Sequence, residues 1–74
     1  MRIFISGKME KDFNKARKVL TQQGLKPVGR FNLDQRNRKK LIKTCRGIYI
    51  LPQGDYWEEE FARENNLEIF FECN

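Results

Sequence analysis

Four short apolar runs alternate along this chain with three segments of helical period, and that alternation restricts the fold more than any other feature. The runs are Arg2–Ser6 (RIFIS), Lys26–Gly29 (KPVG), Ile48–Leu51 (IYIL) and Glu68–Glu72 (EIFFE), each short and bounded by turn residues, as buried strands are. Between them, residues 9–23 put Phe13, Ala16 and Leu20 on one face with Val19 beside them. Gln35–Cys45 offers a thin apolar face of Leu41, Ile42 and Cys45, and Tyr56–Asn65 turns Trp57, Phe61 and Ala62 inward. Gly24 and Asn66 are natural left-handed helix stops. Asn32 or Asp34 can cap the second helix. Pro27 places the second strand at its own beginning or on an edge, because Pro cannot donate to a central ladder. The order β-α-β-α-β-α-β predicts one α/β domain over residues 1–74, with a parallel four-stranded sheet and right-handed crossovers; the strand order expected is 2-1-3-4.

Composition narrows the chemistry. The hydrophobic fraction is 39%, with six Phe, two Tyr and one Trp, which is a globular rather than a disordered balance. There is no His, so the usual general base and the commonest metal ligand are missing. Cys45 and Cys73 stand far apart and in no ligand spacing, which argues against a disulfide framework or a zinc site. Cys45 reads as a small buried apolar residue. No metal and no cofactor are expected. The chain starts directly on a strand, and no apolar run is long enough to span a bilayer, so a cytoplasmic protein without membrane contact is expected.

Ligands of an open parallel sheet bind beyond the carboxyl ends of the strands, where the strand order reverses. In the order 2-1-3-4 that point lies between the first and third strands. Two loops meet there, Ser6-Gly7-Lys8-Met9 and Pro52-Gln53-Gly54-Asp55. Gly7 permits close backbone approach, Ser6 offers a hydroxyl, and the first helix presents a partial positive charge and free N–H groups to an anion, with Lys8 adding to the pull. The plainer reading is that Ser-Gly makes the strand-to-helix turn. Glu58, Glu59 and Glu60 open the third helix, where the dipole favours acids. Ala62 lies one turn after Glu58 on the same face. That spacing turns Glu58 towards the ligand crevice and leaves Glu59 solvated. A carboxylate so placed can act as nucleophile or base.

Three blocks carry a likeness to a known family. RIFISGKM (Arg2–Met9) resembles the opening (K/R)IY(I/L)(S/A)GP(M/L) of the nucleoside 2-deoxyribosyltransferase-like superfamily. LIKTCRGIYILP (Leu41–Pro52) is similar to its second block, L..CDGIYLLP, and WEEEFARENNLEIF (Trp57–Phe70) to its third. The blocks occur in the family's order, cover roughly half of the chain and look closest to a compact branch found in bacteria and phages. The resemblance implies a flavodoxin-like three-layer fold. It makes Glu58 the counterpart of the catalytic glutamate, which attacks the anomeric carbon of a deoxynucleoside, releases the base and forms a covalent intermediate that another base or water resolves. Ser6 and Gly7 would lie beside the sugar and its 5′-substituent. The chain departs from the pattern at the first-strand tyrosine that orients the glutamate (Phe4 here), at the proline after Gly7 (Lys8) and at the aspartate after the second-block Cys (Arg46). The loop before Glu58 is also short, and Asp55 is the one acid there that could replace a missing group. A nucleotide-like anion suits these changes, since Lys8 and Arg46 both favour it. The expectation is a nucleoside- or nucleotide-binding domain with glycosyl transfer or hydrolysis at Glu58, using Ser6, Gly7, Lys8, Met9, Arg46, Gly54 and Asp55 to hold the ligand. The alternative is a binder without chemistry.

Lys and Arg total 15 against 10 acids, a net charge of +5. Arg36, Arg38, Lys39, Lys40, Lys43 and Arg46 cluster in and after the second helix. Cations near a helix C-terminus are favoured by the dipole and read first as a solvated face. The alternative is a surface for nucleic acid or an acidic partner, although no aromatic residue is interleaved with the cluster in the sequence. A chain this short buries a small core, and Phe70 and Phe71 sit on an edge strand that needs cover. A homo-oligomer is therefore expected; light scattering should return at least twice the monomer mass, and a monomer would refute it.

Overall fold

Parallel strands cannot be joined by a tight turn, so each pair needs a crossover, and the three helices of this chain are those crossovers. The computed structural model describes residues 1–30, 32–52 and 56–72. Its elements are β1 (Arg2–Ser6), α1 (Glu10–Gln22), β2 (Lys26–Val28), α2 (Gln35–Lys43), β3 (Gly47–Ile50), α3 (Tyr56–Glu64) and β4 (Glu68–Phe71). All three strand pairings are parallel and the order is β2-β1-β3-β4. The fold is thus the α/β, flavodoxin-like arrangement that the alternating runs predict.

The element ends follow from local hydrogen bonding. Asp34, not Asn32, caps α2, its side chain accepting from the Asn37 N–H at 2.8 Å. The helix stops at Lys43, two residues before the expected end, because the Thr44 hydroxyl donates to the Leu41 carbonyl at 2.7 Å and competes with a further helical bond. Gly24 at φ 79° and Asn66 at φ 61° are the left-handed stops after α1 and α3. Lys26 donates to the Met1 carbonyl at 2.9 Å, so its neighbour Pro27 faces away from β1, where a missing N–H breaks no ladder bond.

Strand alternation divides the core in two. Ile3 and Ile5 pack with Phe13, Ala16, Leu20 and Leu51 beneath α1. Phe4 and Ile48 pack with Val28, Ile42, Cys45 and Ala62 beneath α2 and α3, and Leu41, Ile50, Trp57, Phe61, Leu67 and Ile69 close that side. One face therefore carries two helices and the other carries one. On the α1 side, Tyr49 and Phe70 line an open groove of about 540 Å³ next to Val19 and Leu25. Phe70 and Phe71 are 37% and 56% exposed. Among the described residues, no helix is long and apolar enough to cross a membrane.

Cys45 is buried in the α2–α3 core, as expected, and its thiol donates to the Leu41 carbonyl at 3.3 Å. Burial pushes its pKa above the ordinary thiol value, partly offset by the Thr44 hydroxyl and by the charge of Arg2. A raised folded pKa contributes stability that is present below the unfolded value and lost as pH rises through the folded one. In a Cys73→Ser background, native protein should resist iodoacetamide at pH 8 while urea-unfolded protein reacts. Stability should also fall as pH rises past about 9.0, the ordinary thiol value. Equal alkylation of the two states would contradict the burial.

Candidate functional site at the carboxyl edge of the sheet

After β1 the chain leaves towards one face of the sheet and after β3 towards the other, so the two layers part at the carboxyl ends of these central strands. Ser6 ends β1 there. It pairs in register with Ile50 and, alternating with Ile5, faces the α2–α3 side together with Phe4. Its side chain is fully buried, and its hydroxyl has no hydrogen-bond partner among the described residues. Such groups are rare, since nearly all buried polar atoms are satisfied.

Gly7 follows for a packing reason. A Cβ at this position would lie 2.5 Å from Leu51 Cδ1 and 3.2 Å from Leu51 Cβ, so only glycine lets β1 leave the sheet past Leu51. Lys8 is exposed, and Met9, 54% exposed, is the N-cap of α1 with its carbonyl accepting from the Phe13 N–H at 3.1 Å. The expected anion site at this helix end is modified by Glu10 and Asp12, which occupy the first turn and already complement the partial positive charge.

Glu58 turns inward, as its spacing from Ala62 predicts, and goes further: only 1% of its side chain is exposed. Its Oε1 accepts from Arg38 Nη1 at 2.7 Å, in a charge-assisted bond between α3 and α2. Arg38 is itself 14% exposed. A carboxylate this deep is tolerable only when paired, and Arg38 supplies the pairing charge. In sequence Arg38 reads as one of the solvated cations of α2. The signal that separates it is position: it precedes Leu41, Ile42 and Cys45 by three, four and seven residues, and so shares the apolar face of the helix. Phe4 has no hydroxyl to offer Glu58, and Arg38 provides the hydrogen bond that orients the carboxylate.

The remaining expectations divide. Glu59 is partly exposed and accepts from Arg63 Nη2 at 3.1 Å. It lines a depression of about 290 Å³ with Ile50, Leu51, Pro52, Tyr56, Phe71 and Glu72, at the carboxyl ends of β3 and β4. Ser6, Gly7 and Glu58 do not line this depression. Arg46 is not brought to the site. Its N–H donates to the Arg2 carbonyl and its carbonyl accepts from the Glu68 N–H, both at 3.0 Å, which places it at the amino ends of β1, β3 and β4. It is separated from the carboxyl edge by the length of β3, about 13 Å for four residues. The physical reason is polarity: a residue before a parallel strand and one after it lie at opposite edges. Gly54 and Asp55 fall outside the described residues. Among the described residues, no group of three or more His, Cys, Asp or Glu is arranged to hold a metal ion.

No family model, no curated protein and no solved structure matches the chain.

Removing one partner of a buried ion pair strands the other charge, at a cost of about 3–5 kcal/mol. Arg38→Met and Glu58→Leu should each lose stability of that order in urea titration, and the two substitutions together should lose clearly less than the sum. Strict additivity would mean the two side chains do not interact.

Proposed function

We propose that the protein binds a nucleoside or nucleotide at the carboxyl edge of β1 and β3, in the manner of the nucleoside 2-deoxyribosyltransferase-like superfamily. The observation that carries the reading is the presence, on one side of the sheet, of a buried carboxylate held by a cation and of a buried hydroxyl that has no hydrogen-bond partner among the described residues. A sugar has hydroxyls that can satisfy Ser6, and its anomeric carbon is a target for a carboxylate.

The chemistry assigned to Glu58 is nucleophilic. A carboxylate oxygen forms a bond to C1′ as the C1′–N glycosidic bond breaks. The bonding pair leaves with the base nitrogen, which takes up a proton. Water or a second base then attacks C1′, the Glu58–sugar bond breaks and the carboxylate is regenerated. Arg38 acts as a positioning residue, fixing one carboxylate oxygen from α2. For sugar to reach Glu58, the cover over it must open, since its side chain is closed to solvent.

That closure supports a second reading, a binder of small nucleotides that performs no chemistry. Base release from a panel of deoxynucleosides and deoxynucleotides separates the two. The enzyme reading expects release that drops by at least about 10³-fold in Glu58→Gln, with circular dichroism confirming that the variant is folded. Thermal stabilisation by the same panel without release would establish the binder. Neither release nor stabilisation would overturn both.

A further inference from the structure

Arg36, Lys39, Lys40 and Lys43 stand at i, i+3, i+4 and i+7 of α2 and form one exposed stripe along it. The helix contains no acid, and its fifth cation, Arg38, is turned in upon Glu58. The stripe therefore carries four positive charges over about 10 Å, against a net charge of +5 for the whole chain.

What the sequence separates, the fold joins. Trp57 and Phe61 of α3, one turn apart, are only partly buried and lie beside the stripe. Lys39 Nζ sits 5.9 Å from the Trp57 ring centroid and 5.8 Å from that of Phe61, and Lys43 Nζ sits 5.9 Å from Phe61. Cations and aromatic rings are thus interleaved on one surface, built from two helices. Of the acids on α3, Glu58 is buried and Glu59 is paired with Arg63, while the exposed Glu60 and Glu64 bound the surface on its α3 side.

We propose that this α2–α3 face binds single-stranded nucleic acid, with phosphates on the cationic stripe and bases against Trp57 and Phe61. The combination of a positive track with aromatic platforms is what sequence-tolerant strand binding requires. A duplex would satisfy the cations but hide its base faces from the rings. An acidic peptide would likewise meet the charges and leave the rings without a stacking partner. Lys39 and Lys43, which cover the rings in the free protein, are within reach of the phosphates that flank a stacked base. The surface is separate from the carboxyl edge and does not depend on chemistry at Glu58.

Trp57 is the only tryptophan of the chain, so its fluorescence reports stacking directly. Oligo-dT and oligo-U should quench it and bind in anisotropy titrations, with log K falling against log salt at a slope of about −2 to −3 for three to four phosphate contacts. Arg36→Glu with Lys40→Glu, both exposed, should weaken binding at least tenfold and flatten the slope. Trp57→Leu should weaken it about tenfold while changing the slope little. Lys11→Glu with Lys18→Glu, the same charge change on exposed residues of α1 across the sheet, should bind nearly as wild type, and base release is scored separately, which keeps this result distinct from the fate of the site at the carboxyl edge. Absence of quenching at low salt, or equal binding of a duplex or polyglutamate, would overturn the proposal.

Discussion

β1 and β3 run side by side in the middle of the sheet, and their parallel pairing from Ile3↔Gly47 to Ser6↔Ile50 is the constraint on which the other elements depend. Ile3, Phe4, Ile5 and Ile48 have almost no exposure, because central strands of a parallel sheet are covered on both faces. The pairing requires the chain to leave each strand at its carboxyl end and return at its amino end, which generates the crossovers. It also brings Gly7 against Leu51, where any side chain would collide, so the departure point of the backbone is set by packing. The opening between the layers at this edge follows from the same topology.

On that frame the Arg38–Glu58 pair is a charged link between α2 and α3 within a largely apolar layer. Its two members lie 20 residues apart and belong to different helices, so it forms only when α2 and α3 are both docked on the sheet. Apolar contacts in this layer tolerate sliding, whereas a charge-assisted bond between two largely buried groups has one favourable geometry. The pair also divides the charge of α2. One cation is drawn inward to balance a carboxylate, and four remain outside, where α3 adds its aromatic rings. A single nine-residue helix thereby supports two surfaces with different chemistry.

Much of this was legible in the residues. Periodicity located every strand and helix to within two residues, since buried strands and amphipathic helices leave different spacings of apolar side chains. Gly24 and Asn66 marked helix ends correctly because left-handed backbone is costly for other residues. The inward turn of Glu58 followed from its distance to Ala62, and the burial of Cys45 from its place on the apolar face of α2. The partner of Glu58 is harder to read, because Arg38 looks in sequence like one more member of a solvated cluster. Arg46 lies at the edge opposite to the one the family likeness implies, because a residue that directly precedes a parallel strand sits at its amino end.

The sequence by itself determined the class of fold, the order of elements, the restriction of Pro27 to a strand start or a sheet edge, and the apolar face of each helix. All of these depend on local periodicity or on the steric limits of single residues. Only the tertiary structure decided which charges meet and which side chains share a surface. The pairing of Arg38 with Glu58, the burial of the Ser6 hydroxyl and the placing of Lys39 and Lys43 over Trp57 and Phe61 arise between elements distant along the chain. Their distances are set by how helices pack on a sheet, a relation that no local pattern of residues encodes.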